Sequence, residues 1–230
     1  DEHPASLHWG ADSKSLFFPA DYHGHLEIFV ARKQGFRQLT RGVFAKALDV
    51  AASGKLLAFA GEASDRAPEL MVIATDGSGL RPLTDFNGWL RKKLGWRRAE
   101  HVWFPADGDT KIHGVLLKPP GFAPGRRYPV VMMIHGGPQG MTGDDFHPRW
   151  NLQMLAAEGY VVFGVNFHGS LGFGQAFSDA IRGDWGGAPA RDIVAGLKWL
   201  EAQPFVDGRA IGAAGASYGG YLINWLATQT

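Results

Sequence analysis

The sequence Gly215-Ala216-Ser217-Tyr218-Gly219-Gly220 lies between an apolar predicted strand and a segment of helical periodicity. A G-x-S-x-G pattern in this setting is typical of a nucleophile elbow, which lifts the serine above the carboxyl edge of a parallel sheet. Side chains two residues before and two after the serine would collide in so tight a turn, which explains Gly215 and Gly219. The helix start favours negative charge developing nearby. The pattern predicts Ser217 as a nucleophile.

Two other interpretations of these glycines remain open. One is a glycine-rich turn that holds a buried, hydrogen-bonded serine. The other is a dinucleotide-binding loop, which requires G-x-G-x-x-G and an acidic residue about 20 positions later. Gly212, Gly215 and Gly219 have a different spacing, and the chain ends before the acidic position.

A second element, His135-Gly136-Gly137-Pro138, follows the apolar strand predicted over Pro129 to Ile134. Hydrolases place a loop here that supplies half of an oxyanion hole. Acyl transfer puts negative charge on a carbonyl oxygen, and two preorganised N–H donors stabilise it. We expect the N–H groups of Tyr218 and Gly137 to be these donors, because Pro138 has no N–H. A plain tight turn after the strand is the alternative.

The sequence from about Glu100 predicts a mostly parallel α/β sheet, since two antiparallel strands are followed by alternating strands and helices. The predicted strands are His101 to Pro105, Lys111 to Leu117, Pro129 to Ile134, Tyr160 to Val165 and Arg209 to Ala214. The predicted helices are Trp150 to Glu158, Gln175 to Ile181, Pro189 to about Pro204, and one beginning at Tyr218.

The sequence before about Asn87 repeats itself. Arg37-Gln38-Leu39-Thr40 recurs as Arg81-Pro82-Leu83-Thr84, an offset of 84 − 40 = 44 residues. A period of this length built from short strands is typical of a β-propeller blade, although two unrelated hairpins are the alternative. We therefore predict the C-terminal part of a β-propeller over residues 1–90 and the N-terminal portion of an α/β-hydrolase domain over 91–230.

Composition excludes several classes of protein. The formal charge of +1 gives no electrostatic footprint for nucleic acid, and the longest aliphatic run, Val130 to Ile134, is too short to span a membrane. The absence of cysteine excludes disulfides and thiolate metal sites. We predict no cofactor and no metal, and we interpret His23-Gly24-His25 as a surface turn.

The acid and the base that a reactive serine requires are not found after Ser217. In α/β-hydrolases the chain order is Ser, Asp or Glu, then His. The 13 residues from Tyr218 to Thr230 include no Asp, Glu or His. We therefore expect the chain to be truncated after the elbow, with its acid and base elsewhere and no turnover by these 230 residues alone.

Taken together, the motifs resemble the prolyl oligopeptidase family of serine peptidases, most closely its acylaminoacyl-peptidase and bacterial dipeptidyl-peptidase V branch. Besides the two elements above, the resemblance rests on these segments: Lys111-Ile112-His113-Gly114, Leu117-Lys118-Pro119-Pro120-Gly121, Gly169-Ser170-Leu171-Gly172-Phe173-Gly174 and Gly183-Asp184-Trp185-Gly186-Gly187. One departure is Phe167-His168, where the family usually has Pro-Arg as a loop anchor.

The resemblance implies a serine peptidase that cleaves short peptides, with a propeller gating access to the cavity. It assigns Ser217 as nucleophile, Tyr218 and Gly137 as oxyanion donors, and the Tyr218 ring to the border of a substrate pocket. It favours the periplasm over the cytoplasm and leaves a homodimer of the full-length protein open. A catalytically inactive binding protein and a non-peptidase esterase of the same fold are the alternatives.

Overall fold

The computed structural model describes residues 7–108 and 110–229. Residues 1–6 of the predicted propeller segment therefore lie outside the described residues. The strands are β1 (His8–Trp9), β2 (Leu16–Tyr22), β3 (His25–Arg32), β4 (Gly35–Gln38), β5 (Phe44–Val50), β6 (Leu56–Ala63), β7 (Arg66–Ala74), β8 (Arg81–Pro82), β9 (Glu100–Pro105), β10 (Lys111–Leu117), β11 (Tyr128–Ile134), β12 (Val161–Asn166) and β13 (Val206–Gly215). The helices are α1 (Gly88–Leu94), α2 (Leu152–Ala157), α3 (Gln175–Asp179), α4 (Ala188–Glu201) and α5 (Tyr218–Ala227).

The first sheet contains β1 to β8 as two consecutive four-stranded units. Each unit is an antiparallel meander, β1-β2-β3-β4 followed by β5-β6-β7-β8. The units join where β3 and β5 pair in parallel at Leu26 and Phe44. The two sequence repeats thus fold into units of the same strand order, and their inward side chains share one apolar core that includes Phe17, Ile28 and Phe59.

The two repeats also share a buried hydrogen-bonded pair. In the first, Thr40 Oγ1 donates to Glu27 Oε2 at 2.5 Å and accepts the N–H of the residue after Glu27. In the second, Thr84 Oγ1 donates to Glu69 Oε2 at 2.5 Å and accepts the N–H of the residue after Glu69. A buried carboxylate is tolerated only when hydrogen bonds replace its water. The repeat therefore preserves a polar contact as well as a strand pattern.

The second sheet has five strands in the order β13-β11-β12-β10-β9. Strands β11, β12 and β13 are parallel, whereas β10 is antiparallel to both β12 and β9. This is the α/β arrangement that the sequence predicted from Glu100 onward. The carboxyl ends of β11 and β13 lie side by side, with Ile134 opposite Gly215. This register brings the segment after Ile134 next to the segment after Gly215.

Strand β12 lies between β11 and β10 and is buried along its whole length. On one face, Phe163 packs in the same cluster as Ile193 and Leu200 of α4. On the other face, Val162 packs with Ala156 of α2. Burying side chains of this size contributes about 1.5–3 kcal/mol each. This central core holds the parallel strands in the register that aligns their ends.

Asp144 connects the two sheets. Its N–H donates to the carbonyl of Gly24 in the β2–β3 turn at 2.8 Å. Its Oδ1 accepts from the Ser64 hydroxyl at 2.6 Å, and its Oδ2 accepts from Nε of Arg98 at 2.9 Å. The side chain of Asp144 is fully buried. One carboxylate therefore ties the loop after β11 to the first sheet. No helix among the described residues is long and apolar enough to cross a membrane.

Candidate active site

Ser217 occupies a strained turn between β13 and α5. Its φ and ψ are 56° and −124°, a backbone conformation that non-glycine residues rarely adopt and that typically costs about 1–3 kcal/mol. The turn is closed by the Gly219 N–H bonding to the Ala216 carbonyl at 3.0 Å, and by the Tyr221 N–H bonding to the Ser217 carbonyl at 3.0 Å. The Ser217 residue is exposed. The geometry is that of a nucleophile elbow.

Glycine is required on both sides of this turn. A Cβ at Gly219 would lie 2.1 Å from the carbonyl oxygen of Ile134, and one at Gly215 would lie 2.6 Å from the same oxygen. The Gly215 Cβ would also come within 3.0 Å of the backbone of Gly219. The collision expected between the positions flanking the serine is therefore present. A second collision, with the end of β11, was not expected from the sequence.

The loop after β11 lies directly against the elbow. A Cβ at Gly136 would lie 3.0 Å from the Ala216 carbonyl oxygen and 3.4 Å from the Ser217 Cβ. Within the described part of the chain, the N–H groups of Gly137 and Tyr218 donate no hydrogen bond. Gly137 has φ of 131°, which favours glycine. The predicted oxyanion donors are thus two free N–H groups on the two segments that flank Ser217.

His135 holds this loop in place. Its Nδ1 donates to the carbonyl of Gly136 at 2.9 Å, and its Nε2 accepts from the Ser170 hydroxyl at 2.9 Å. Its ring stacks on Phe167 with 4.3 Å between centroids. Burial lowers the pKa of His135 to about 4, so the ring is neutral near pH 7. His135 therefore acts as a neutral group that fixes the loop, with both of its ring nitrogens already engaged.

The loop after β12, which carries Ser170, is anchored through His168. Both the N–H and Nδ1 of His168 bond to Asp192 Oδ2 of α4, at 2.7 and 2.6 Å. The hydrogen bond with Asp192 raises the pKa of His168 above its usual value. The pair of His168 with Asp192 fixes the loop after β12 to α4, at the position where the resemblance noted above would place an arginine.

The Tyr218 ring lies beneath the site. Its hydroxyl donates to the carbonyl of Trp185 at 2.7 Å, and its ring contacts Phe167, Trp185 and Tyr221 with centroids 5.5 to 5.7 Å apart. The side chain of Tyr218 is buried. The structure therefore places the Tyr218 N–H at the elbow and its ring in the packing that supports the Trp185 loop.

A cavity of about 390 Å³ opens at Ser217, within the range of about 300–1,000 Å³ typical of ligand pockets. Its walls come from the end of β11, the loop after it, the start of α2 and the elbow. The lining includes Met133, Met141, Asp145, His147, Arg149, Trp150, Leu152 and Ser217. Sequence reasoning did not identify the segment from Met141 to Trp150 as part of the site, because no motif marks it.

A histidine network lies where the loop after β11 meets the first sheet. Thr142 fixes the orientation of the Asn166 amide, since its N–H donates to Oδ1 at 2.7 Å and its carbonyl accepts from Nδ2 at 3.0 Å. That Nδ2 also donates to His113 Nδ1 at 2.8 Å. The Nε2–H of His113 therefore donates to His101 Nδ1, 3.0 Å away. Burial lowers the pKa of His113 to about 3 and that of His101 to about 4.

This network bears on metal binding. His25, His101 and Asp144 offer ligand atoms within 4.8 Å of one another. Because His101 Nδ1 accepts a hydrogen bond, its buried Nε2 carries a proton and presents no lone pair to a cation. Asp144 Oδ2 is already bound by Arg98. The hydrogen-bond pattern therefore assigns this cluster to the junction between the sheets, and His25 is more buried than a surface turn would be.

No acid or base activates Ser217 within the described residues. No side chain among residues 7–108 and 110–229 makes a hydrogen bond with the Ser217 hydroxyl. Both ring nitrogens of His135 are engaged elsewhere, and His168 is paired with Asp192. The site as described thus contains a candidate nucleophile, two candidate oxyanion donors and a cavity.

Comparisons with known proteins agree with this geometry. Residues 146–230 match the sequence model of the prolyl oligopeptidase family. The chain is 37% identical to dipeptidyl-peptidase 5 of Arthroderma otae over 100% of its own length and 32% of that relative. It is 32% identical to dipeptidyl-peptidase 5 of Porphyromonas gingivalis over 96% of its length and 32% of the relative. The chain thus spans about a third of the relatives it matches.

The fold comparison gives the same result. The solved structure of Pyrococcus horikoshii acylaminoacyl peptidase superimposes with a TM-score of 0.82 and 30% identity, covering 94% of this chain and 34% of that one. The match includes both sheets, because it extends over nearly all of the chain. With the strained serine, the adjoining glycine loop and the shared sequence, these likenesses show that residues 146–230 belong to the prolyl oligopeptidase family.

Proposed function

We propose that Ser217 is the nucleophile of a serine peptidase that hydrolyses short peptides through an acyl-enzyme. The single observation that carries the proposal is the position of Ser217. It is exposed on a strained turn, between the free N–H groups of Tyr218 and Gly137, at the mouth of a ligand-sized cavity. The relatives are named as dipeptidyl-peptidases and an acylaminoacyl peptidase, which supports a peptide substrate of dipeptidyl or acylaminoacyl type.

In the proposed mechanism, Ser217 Oγ attacks the scissile carbonyl and passes its proton to a histidine. The carbonyl oxygen becomes an oxyanion that accepts hydrogen bonds from the N–H groups of Tyr218 and Gly137. Collapse breaks the C–N bond, and the histidine returns the proton to the leaving amine. Water then hydrolyses the ester by the same steps. We propose that the histidine and its orienting carboxylate come from sequence outside these 230 residues, since Ser217 has no such partner among those described.

We further propose a division of the chain into two parts. Residues 1–90 are the last blades of a β-propeller, supported by two four-stranded units that share the Glu–Thr pair. Residues 91–230 are the first part of an α/β-hydrolase domain, supported by the strand order and by the elbow after β13. The Tyr218 side chain, expected at the border of the substrate pocket, instead packs under the Trp185 loop and is not part of the lining of the cavity at Ser217.

The test is covalent labelling of the full-length protein that contains this chain. A fluorophosphonate probe should label Ser217, and Ser217→Ala should abolish labelling and lower peptide hydrolysis by about 10⁴- to 10⁶-fold. Ser53→Ala, in an exposed turn of the first sheet, should leave both unchanged. Residues 1–230 alone should show no turnover. Labelling that survives Ser217→Ala would exclude Ser217 as nucleophile, and turnover by residues 1–230 would exclude an external acid and base.

A further inference from the structure

Asp145 lines the same cavity as Ser217 and has no partner for its charge. Within the described residues its carboxylate forms no ion pair within 4 Å and no hydrogen bond with another residue. Its neighbour Asp144 is fully hydrogen-bonded to Ser64 and Arg98. Two adjacent carboxylates therefore have different environments. Asp144 connects the sheets, whereas Asp145 lines the cavity and its carboxylate is hydrogen-bonded only to its own backbone N–H within the described residues.

The nearest acidic and basic groups on the first sheet do not neutralise Asp145. Glu62 of β6 is buried and accepts from Lys46 Nζ of β5 at 2.5 Å. The one lysine is therefore committed to Glu62, although its charge still acts on Asp145 from a distance. Burial raises the pKa of both Asp145 and Glu62; the charge of Asp145 raises the pKa of Glu62 further, and the charge of Asp144 raises that of Asp145. These three groups carry a net charge of −1 when ionised.

Neither basic side chain on the cavity wall forms an ion pair with Asp145 within the described residues, although the charge of His147, when protonated, lowers the pKa of Asp145 from a distance. His147 Nδ1 accepts the N–H groups of Arg149 at 3.1 Å and of Trp150 at 3.0 Å. These two bonds use the Nδ1 lone pair, so Nδ1 does not donate a hydrogen bond to Asp145. The Arg149 guanidinium lies over the Trp150 ring, 5.2 Å from its centroid, on an exposed part of the wall. The cavity beside Asp145 therefore favours a cation.

We propose that Asp145 binds a positively charged group of the substrate, either its α-ammonium or a basic side chain, while the adjoining carbonyl is presented to Ser217. The inference rests on the proposed function, because it assumes that the cavity holds the peptide that Ser217 attacks. The apolar wall that includes Met133, Met141 and Leu152 would cover the aliphatic part of the same residue. Asp145 is then a specificity-determining residue: it selects a peptide with a positive charge, and Ser217 attacks the carbonyl of that peptide.

The experiment compares matched substrates of the full-length protein. In one pair of peptides, one member has a free N-terminus and the other an acetylated N-terminus. In the other pair, one member has lysine and the other norleucine, tested in turn at each of the two residues before the cleaved bond. A charge-assisted contact in a partly buried site predicts about 10- to 100-fold higher kcat/KM for the cationic member of one pair. The pair that shows the preference identifies which cation Asp145 binds.

Asp145→Asn should remove this preference, mainly through KM, while kcat/KM for the neutral member changes by less than about 3-fold. Asp76→Asn, on an exposed turn outside the cavity, should keep the preference. Fluorophosphonate labelling of Ser217 should proceed at the same rate in both variants, which shows that each is folded. Asp145→Ser, with a smaller uncharged side chain, should remove the preference for the cationic substrate in the same way.

The proposal is overturned if the wild-type protein prefers neither cation, or if Asp145→Asn keeps the preference. It is equally overturned if the variant loses activity on charged and neutral substrates alike while labelling normally. Loss of labelling in the wild-type protein would instead contradict the role of Ser217, so failure of the underlying function is distinguished from failure of the inference.

Discussion

Gly219→Ala tests whether the contact between the elbow and the end of β11 positions the nucleophile. The new Cβ would lie 2.1 Å from the Ile134 carbonyl oxygen, 2.9 Å from its carbon and 3.1 Å from the His135 carbonyl oxygen. All three atoms are backbone, so no side chain can rotate away. Non-bonded carbon atoms are comfortable at about 3.5–4.0 Å, and the elbow must therefore move by about 1 Å or more.

Two effects on stability oppose each other in this variant. Alanine is favoured over glycine within a helix by about 1 kcal/mol, whereas overpacking typically costs about 1–3 kcal/mol and sometimes more. Gly220→Ala is the matched control, because its Cβ would meet only the Gly215 carbonyl oxygen at 3.6 Å, an ordinary contact. We expect Gly220→Ala to raise the unfolding temperature slightly and Gly219→Ala to lower it.

The decisive assay is the rate of fluorophosphonate labelling at Ser217 in the full-length protein. A displacement of about 1 Å at a reacting group can reduce the rate by about 100-fold. Gly219→Ala should therefore label about 100-fold more slowly than Gly220→Ala at a temperature where both are folded. Equal rates for the two variants would show that the packing of the elbow against Ile134 does not set the position of the serine.

Two further predictions concern the junction between the sheets. The folded-state pKa values of His113 and His101, about 3 and 4, lie below the ordinary 6.5, so the unfolded state binds more protons between about pH 6.5 and 4. The stabilisation from the two neutral histidines should be fully present above about pH 6.5, and the free energy of unfolding should fall by about 1–3 kcal/mol per histidine as the pH is lowered toward 4. His113→Gln should reduce the change of the unfolding temperature with pH. An equally steep change in the variant would contradict a network of neutral histidines. Asp144→Ala should lower the free energy of unfolding, measured by denaturant titration, by about 3 kcal/mol, because it leaves Ser64 and Arg98 without their buried partner. The control Asp107→Ala breaks only an exposed ion pair and should change the free energy of unfolding by less than about 1 kcal/mol.

Local patterns predicted the parts of the site that lie within a few residues of each other in sequence. The spacing around Ser217 was sufficient because the collision of Gly215 with Gly219 is a property of the turn itself. The same holds for strand β10, which runs from Lys111 to Leu117 as expected. The helix expected from Trp150 begins at Leu152 instead, because Asn151 caps it by accepting the N–H of Gln153.

Contacts between distant segments could not be predicted in this way. Asn166, His113 and His101 lie on three different strands, and only the sheet order brings them together. The different environments of Asp144 and Asp145 also depend on tertiary structure, since neighbouring positions in a loop have no fixed periodicity. The shared Glu–Thr pair was visible in principle, because Glu27 and Glu69 each precede their threonine by a similar interval, 13 and 15 residues.

The contacts of Asp144 have a consequence for protein engineering. The loop between β11 and α2 carries Gly137, and it is held by the carbonyl of Gly24 and the hydroxyl of Ser64, both from the first sheet. A chimera that joined the second sheet to an unrelated first sheet would lose these two contacts and would hold the loop less firmly, through His135, Thr142 and Arg98. Grafting at this junction therefore has to transfer the β2–β3 turn and Ser64 together with the second sheet.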